Sequence, residues 1–130
     1  MNVTRVSLSK TSPAIYSDLV IVDEQIYVSG LTSKDWDTGK AVNGDVELET
    51  KTILNNLKTL LEQYGSGMDK VIRVEVVLTA IADRDRMNQE YIKHFPQDKL
   101  PVRMCYGGVE LVGECKVEIM AIAYRTIDVK

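Results

Sequence analysis

A chain of 130 residues, 45% of them hydrophobic, is long enough to bury a core and has the size of a single domain, residues 1–130. Its formal net charge of −3 argues against a broad nucleic-acid-binding surface. The two cysteines lack metal-binding spacing and His94 is the only histidine, which predicts a reduced cytoplasmic protein and makes a zinc centre improbable.

The first third of the chain predicts three strands, with neither an apolar signal core nor a membrane-spanning segment before them. Residues 3–7 alternate weakly between apolar and polar and predict an edge strand, and residues 9–13 form a polar connection. Leu19–Val22 and residues 26–29 are short β-rich runs separated by three polar residues, which predicts a hairpin. Residues 31–44 are polar and contain two glycines, so we expect a loop.

The hydrophobic period changes to that of a helix after Asp45, a residue type suited to the N-cap. Gly65 stands where a left-handed residue ends many helices. Residues 71–81 then alternate as a strand, with Ile72 predicted on its apolar face. A second helix is predicted from Asp83. Its apolar residues recur every fourth position: Met87, Tyr91 and Phe95. His94, near the end of this helix, is expected to be exposed, where a histidine is favourable.

The stretch from residue 100 to 125 predicts the last two strands. Between residues 117 and 123 both faces of the final strand are apolar except at Glu118, which is typical of a central strand covered on both faces. An uncompensated carboxylate is costly there, and Arg103 in the preceding extended run is the expected cation, since glycines between the runs permit turns that bring the two together. Two interpretations remain open: a structural ion pair, or a pocket in which Arg103 binds an anion and Glu118 transfers a proton.

The predicted order is β-β-β-α-β-α-β-β, an α+β fold. Two helices can cover only one face of the sheet. Because the last strand is apolar on both faces, something outside the chain must cover the other face, and we expect self-association.

Several short motifs, in order along the chain, resemble the YjgF/RidA family of reactive-imine deaminases, also called the endoribonuclease L-PSP family. The strongest are Pro101-Val102-Arg103 and Val117-Glu118-Ile119. The others are Ala14-Ile15-Tyr16, Val28-Ser29-Gly30, Asn56-Leu57, Met87-Asn88 with Tyr91 and Phe95, and Ala121-Ile122-Ala123.

This resemblance implies a chorismate-mutase-like fold with a mixed sheet and both helices on one face. It also implies a homotrimer in which three sheets form a central barrel, with pockets between the subunits. The implied reaction is hydrolysis of 2-imino acids, such as 2-iminobutanoate and 2-iminopropanoate, to 2-keto acids and ammonia, without a metal or organic cofactor. The implied partners are these small molecules and other copies of the chain, with neither membrane nor nucleic acid.

The resemblance also assigns roles to residues. Arg103 would bind the substrate carboxylate through its planar guanidinium, and Glu118 would act as general acid/base. The other expected substrate-binding residues are Tyr16, Ser29, Gly30, Asn88 and Cys105. Leu31 replaces the glutamine that commonly follows Ser-Gly in the family, and we expect it beside the pocket.

Each role has a structural alternative: Cys105 as an ordinary buried thiol, Tyr16 as a cap on the edge of the barrel, Ser29 as a strand-end residue, and Asn88 as a residue bonded to a loop carbonyl. Two other functions also stay open. One is a trimer that binds small carboxylates without turnover. The other is an endoribonuclease or translation inhibitor, although the sequence offers neither a histidine pair nor a basic track for RNA cleavage.

Overall fold

A computed structural model describes residues 1–8 and 14–126, which form a six-stranded sheet and two α-helices. The polar connection predicted at residues 9–13 lies outside the described residues. The strands are β1 (Val3–Val6), β2 (Leu19–Val22), β3 (Gln25–Leu31), β4 (Val71–Leu78), β5 (Val102–Tyr106) and β6 (Val117–Tyr124). The helices are α1 (Val46–Gln63) and α2 (Arg84–Tyr91), with single 3₁₀ turns at Met68–Lys70, Ile81–Asp83 and Ile92–His94. The predicted order of elements is confirmed.

The strands lie in the order β1-β2-β3-β6-β4-β5. All neighbours are antiparallel except β4 and β5, which are parallel, so the sheet is mixed. The hairpin of β2 and β3 and the edge position of β1 are confirmed. β6 lies in the middle of the sheet between β3 and β4, as the two apolar faces of this strand predict.

α1 begins and ends as its sequence predicts. The Asp45 carboxylate accepts hydrogen bonds from the backbone N–H groups of Glu47 and Leu48, at 2.9 and 3.4 Å. Gly65 follows the helix with φ 84°, a left-handed conformation that favours glycine. The buried stripe of α1 packs over the alternate residues of the sheet that face the helices, and this is where the core lies.

Inside the core, α1 contributes one fully buried carboxylate, that of Glu49. One of its oxygens accepts the N–H of Lys116 at 2.8 Å, and the other accepts the N–H of Gly44 at 3.1 Å. Buried polar groups without partners are costly, whereas both oxygens here are satisfied. The carboxylate therefore fixes the residue before β6 to the start of α1.

The prediction for Ile72 is wrong. Its side chain is 44% exposed, while Val71 is buried. The ladder of β4 with β6 shifts register between Val71 and Arg73, which turns two successive side chains outward and restores the alternation at Val74.

The sheet face turned away from the helices is rich in apolar side chains that no part of the described chain covers. They include Tyr27, Val102, Met104, Tyr106, Met120 and Tyr124, all of them exposed. Neither of the described α-helices combines the length and apolar composition needed to cross a bilayer.

Candidate functional site

A cleft of about 390 Å³ opens on the sheet face opposite the helices. Four of the residues expected at a site meet in it: Tyr16, Ser29, Gly30 and Glu118. The rest of its wall comes from the neighbouring strands: Glu75, Val77, Tyr106 and Met120. The register explains this grouping, because Val77 of β4 pairs with Glu118 on one side and with Tyr106 on the other.

The Glu118 side chain lies against the backbone of Gly30. In the ladder of β3 with β6, Val28 pairs with Ala121 and Leu31 with Ile119, so β3 carries one extra residue and forms a bulge at positions 29–30. A Cβ atom at Gly30 would be 3.0 Å from both Cδ and Oε1 of Glu118. Glycine at this position therefore leaves the space that the carboxylate occupies.

A second carboxylate, that of Glu75, lies in the same cleft and was not recognised from the sequence as a site residue. The Tyr106 hydroxyl donates a hydrogen bond of 2.9 Å to its Oε1 atom. This bond raises the pKa of Tyr106, because it is lost when the phenol ionises. The alternation of β4 suggested the face of Glu75, but only the register of β4 with β6 shows that this face is that of Glu118.

Arg103 lies on the other face of the sheet, beneath the helices. β5 neighbours β4 rather than β6, and Arg103 pairs in the ladder with the fully buried Val74. Its Nη1 atom donates a hydrogen bond of 2.6 Å to Oδ1 of Asn88, and its Cζ atom lies 4.8 Å from the centre of the Tyr91 ring. Neither a hydrogen bond nor an ion pair joins Arg103 to Glu118, although the structure describes both residues. The expectation that turns bring the two together within one chain is wrong, because β4 separates their strands.

Cys105 lies beside Arg103 in the same group. It is two residues further along β5, on the face of Arg103, half-buried against the core. Cys115 is buried, and this burial raises the pKa of its thiol. The expected site residues thus fall into two groups on opposite faces, and their roles remain predictions.

Two expectations about neighbouring residues are wrong. Leu31 does not line the cleft but points into the core, where it is buried, because the bulge in β3 turns it towards the helices. His94, expected to be exposed, is largely covered and lies 2.7 Å from a carboxylate oxygen of Glu90, one helical turn earlier. Within ranges 1–8 and 14–126, no three His, Cys, Asp or Glu side chains are grouped so that they could hold a metal ion.

Comparison with known proteins shows the family to which the chain belongs. The sequence model of the family described as Endoribonuclease L-PSP matches residues 9–125. The chain belongs to this family. It is the YjgF/RidA family that the motifs around Arg103 and Glu118 resemble, so this prediction is confirmed.

The relatives carry different names. The 2-iminobutanoate/2-iminopropanoate deaminase of Rattus norvegicus is 38% identical over 122 residues, which span 92% of this chain and 88% of the rat protein. A RutC family protein of Pyrococcus abyssi is 34% identical over 110 residues, 85% of this chain and 86% of that protein. The crystal structure of yeast Mmf1 matches with a TM-score of 0.86 at 28% identity, covering 96% of this chain and all of that one. The predicted fold class is confirmed.

Proposed function

We propose that this protein hydrolyses small 2-imino acids, such as 2-iminobutanoate and 2-iminopropanoate, to 2-keto acids and ammonia. The observation that carries the proposal is the cleft in which the Glu118 carboxylate lies against the backbone of Gly30. The name of the rat relative, 2-iminobutanoate/2-iminopropanoate deaminase, supports the substrate class.

The complete site in this proposal belongs to two copies of the chain in a homotrimer. A 2-imino acid needs a cation for its carboxylate, and none of the described residues that line the cleft is Lys or Arg. Arg103 is on the far face of the same sheet, so in this proposal the Arg103 that serves a cleft comes from another copy. The apolar side chains of the uncovered face support such an assembly, and a closed ring would leave none of them exposed.

In this site Arg103 of one copy binds the substrate carboxylate through two parallel hydrogen bonds. Glu118 of the other copy takes a proton from a water molecule as the water oxygen bonds to the imine carbon, and then gives a proton to the nitrogen. The former water is now a hydroxyl group on that carbon, and Glu118 carries its remaining proton to the nitrogen in the same way. The carbon–nitrogen bond then breaks, ammonia leaves, and the water oxygen becomes the keto oxygen. Tyr16, Ser29 and the backbone of Gly30 hold the imine end in place.

The family description also raises the possibility of RNA cleavage. The described cleft favours imine hydrolysis over RNA cleavage, because its two carboxylates, Glu75 and Glu118, repel the negatively charged RNA backbone. A third outcome is carboxylate binding without turnover. All three are separated by measuring imine hydrolysis, RNA degradation and binding of pyruvate with the same preparation.

The decisive experiment generates 2-iminobutanoate in situ with a threonine dehydratase and follows release of the keto acid. We expect Arg103→Ala to lose both pyruvate affinity and turnover, and Arg103→Lys to recover little, because an ammonium cannot form the two-pronged contact. Glu118→Gln should keep much of the pyruvate affinity while turnover falls by roughly 10²-fold or more. If the variants unfold at a lower temperature but keep full specific activity, both residues have structural roles only.

A further inference from the structure

The Arg103 guanidinium is held from two sides by α2. Asn88 accepts a hydrogen bond from Nη1, and Cζ of Arg103 lies over the Tyr91 ring, 4.8 Å from the ring centre. We propose that Asn88 and Tyr91 are positioning residues that fix the direction of the Arg103 guanidinium, and that Asn88 does not contact the substrate. The inference rests on the proposed function in one respect, that Arg103 is the ligand of the substrate carboxylate.

The hydrogen bond from Arg103 engages the Asn88 amide oxygen and leaves most of the guanidinium N–H groups free. At 2.6 Å from Nη1, Oδ1 of Asn88 is engaged by a charged donor, and as an acceptor this oxygen offers nothing to a substrate carboxylate. Arg103 makes this single side-chain hydrogen bond within the described part of the chain. Four of the five N–H donors of a guanidinium then remain for a two-pronged contact with a carboxylate.

The Tyr91 ring acts through its face rather than through its hydroxyl. Its centre lies 4.7 Å from that of the Phe95 ring, four residues later in the chain. The Tyr91 hydroxyl is buried and has no hydrogen-bond partner among residues 1–8 and 14–126. Burial raises the pKa of Tyr91 to about 12 although the nearby positive charge of Arg103 acts in the opposite direction, so the phenol is neutral at physiological pH and offers Arg103 a ring instead of a negative charge.

The geometry of α2 explains why these two residues act together. Positions 88 and 91 are three apart and therefore lie on the same side of a helix. α2 is itself joined to the start of α1, because Arg86 forms ion pairs with Glu47 at 3.1 Å and Asp45 at 3.4 Å. Exposed ion pairs add little, but the fully buried Met87 also anchors α2 in the core, and from this helix one amide and one ring reach the arginine.

A double-mutant cycle distinguishes this role from direct contact with substrate. Pyruvate affinity and kcat/KM are measured for Asn88→Ala, Arg103→Ala and the double variant, with thermal unfolding as the check on folding. We expect Asn88→Ala to weaken pyruvate binding about tenfold, mostly as a higher KM, and to have no further effect once Arg103 is absent. A further loss of about tenfold in the double variant, or no loss in the single one, overturns the proposal.

Tyr91 offers a matched pair of variants. Tyr91→Phe keeps the ring and removes only an unpartnered hydroxyl, so we expect unchanged pyruvate affinity and an unchanged or higher Tm. Tyr91→Leu removes the ring and should weaken pyruvate binding several-fold. Equal losses in both variants, or in neither, contradict a role for the ring face.

One readout does not depend on the proposed function. In NMR spectra recorded without ligand, a held guanidinium gives separate signals for its Nη protons, and we expect these signals for Arg103 in the wild type and in Tyr91→Phe. They should collapse into one averaged signal in Asn88→Ala and Tyr91→Leu. If the wild type gives separate Arg103 Nη signals but does not hydrolyse imines, the proposed function is wrong and the positioning role stands. A single averaged signal in the wild type refutes the positioning.

Discussion

Two variants that are inactive alone should restore activity when they are mixed as subunits. Arg103 and Glu118 lie on opposite faces of one sheet with β4 between their strands, so one chain cannot supply both to one substrate. In a closed ring each site then takes Arg103 from one copy and Glu118 from its neighbour. Random assembly of equal amounts of Arg103→Ala and Glu118→Gln places two intact residues at about one quarter of the sites.

The assay is imine hydrolysis after the two tagged variants have been unfolded and refolded together, with mixed assemblies verified by mass spectrometry. A matched control refolds wild type with the Arg103→Ala/Glu118→Gln double variant in equal amounts. Shared sites predict about one quarter of full activity there as well, whereas sites within single chains predict about one half. If verified mixed assemblies of the two single variants are no more active than their separate sum, the shared site is refuted.

Three further predictions concern single contacts. Gly30→Ala should lower turnover at least tenfold with little change in Tm, because the new Cβ would lie 3.0 Å from the Glu118 carboxylate and displace it. Normal turnover of this variant would show that the reaction does not require the Glu118 carboxylate to lie against the Gly30 backbone. Glu49→Gln should lower the free energy of unfolding in urea by about 1–3 kcal/mol, since the amide keeps only one of the two buried oxygens that accept the N–H groups of Gly44 and Lys116. An unchanged midpoint would mean that other acceptors replace the lost oxygen. Asp45→Ala should lower it by about 1 kcal/mol and Asp45→Asn by much less, and equal losses would show that the ion pair to Arg86 outweighs the N-cap.

Local sequence patterns predicted much of the fold, because helix ends and the apolar faces of strands are set by residues close together in sequence. The change of hydrophobic period after Asp45 indicates the start of α1. The Asp45 side chain can cap only the helix that follows it in sequence. The two apolar faces of residues 117–123 predicted that β6 lies inside the sheet, since such a pattern is typical of a central strand covered on both faces. The motifs around Arg103 and Glu118 identified the family for the same reason.

The order of strands is not local, and this is where the sequence misleads. Nothing in residues 101–106 indicates that β5 pairs with β4 in parallel instead of turning back beside β6. That single difference moves Arg103 to the face of Asn88 and away from Glu118. The bulge that exposes Ile72 is likewise a property of the ladder with β6, because it arises where two distant strands change register.

The central position of β6 also bears on how the chain folds during synthesis. β6 is the last of the six strands to leave the ribosome, yet both β3 and β4 pair with it. Until it emerges, these two strands expose unpaired edges and the sheet exists only as separate pieces. Pairings between distant segments form slowly, and incomplete sheets are prone to aggregate, so this protein should complete its core only after β6 has left the ribosome and should benefit from chaperones that shield those edges.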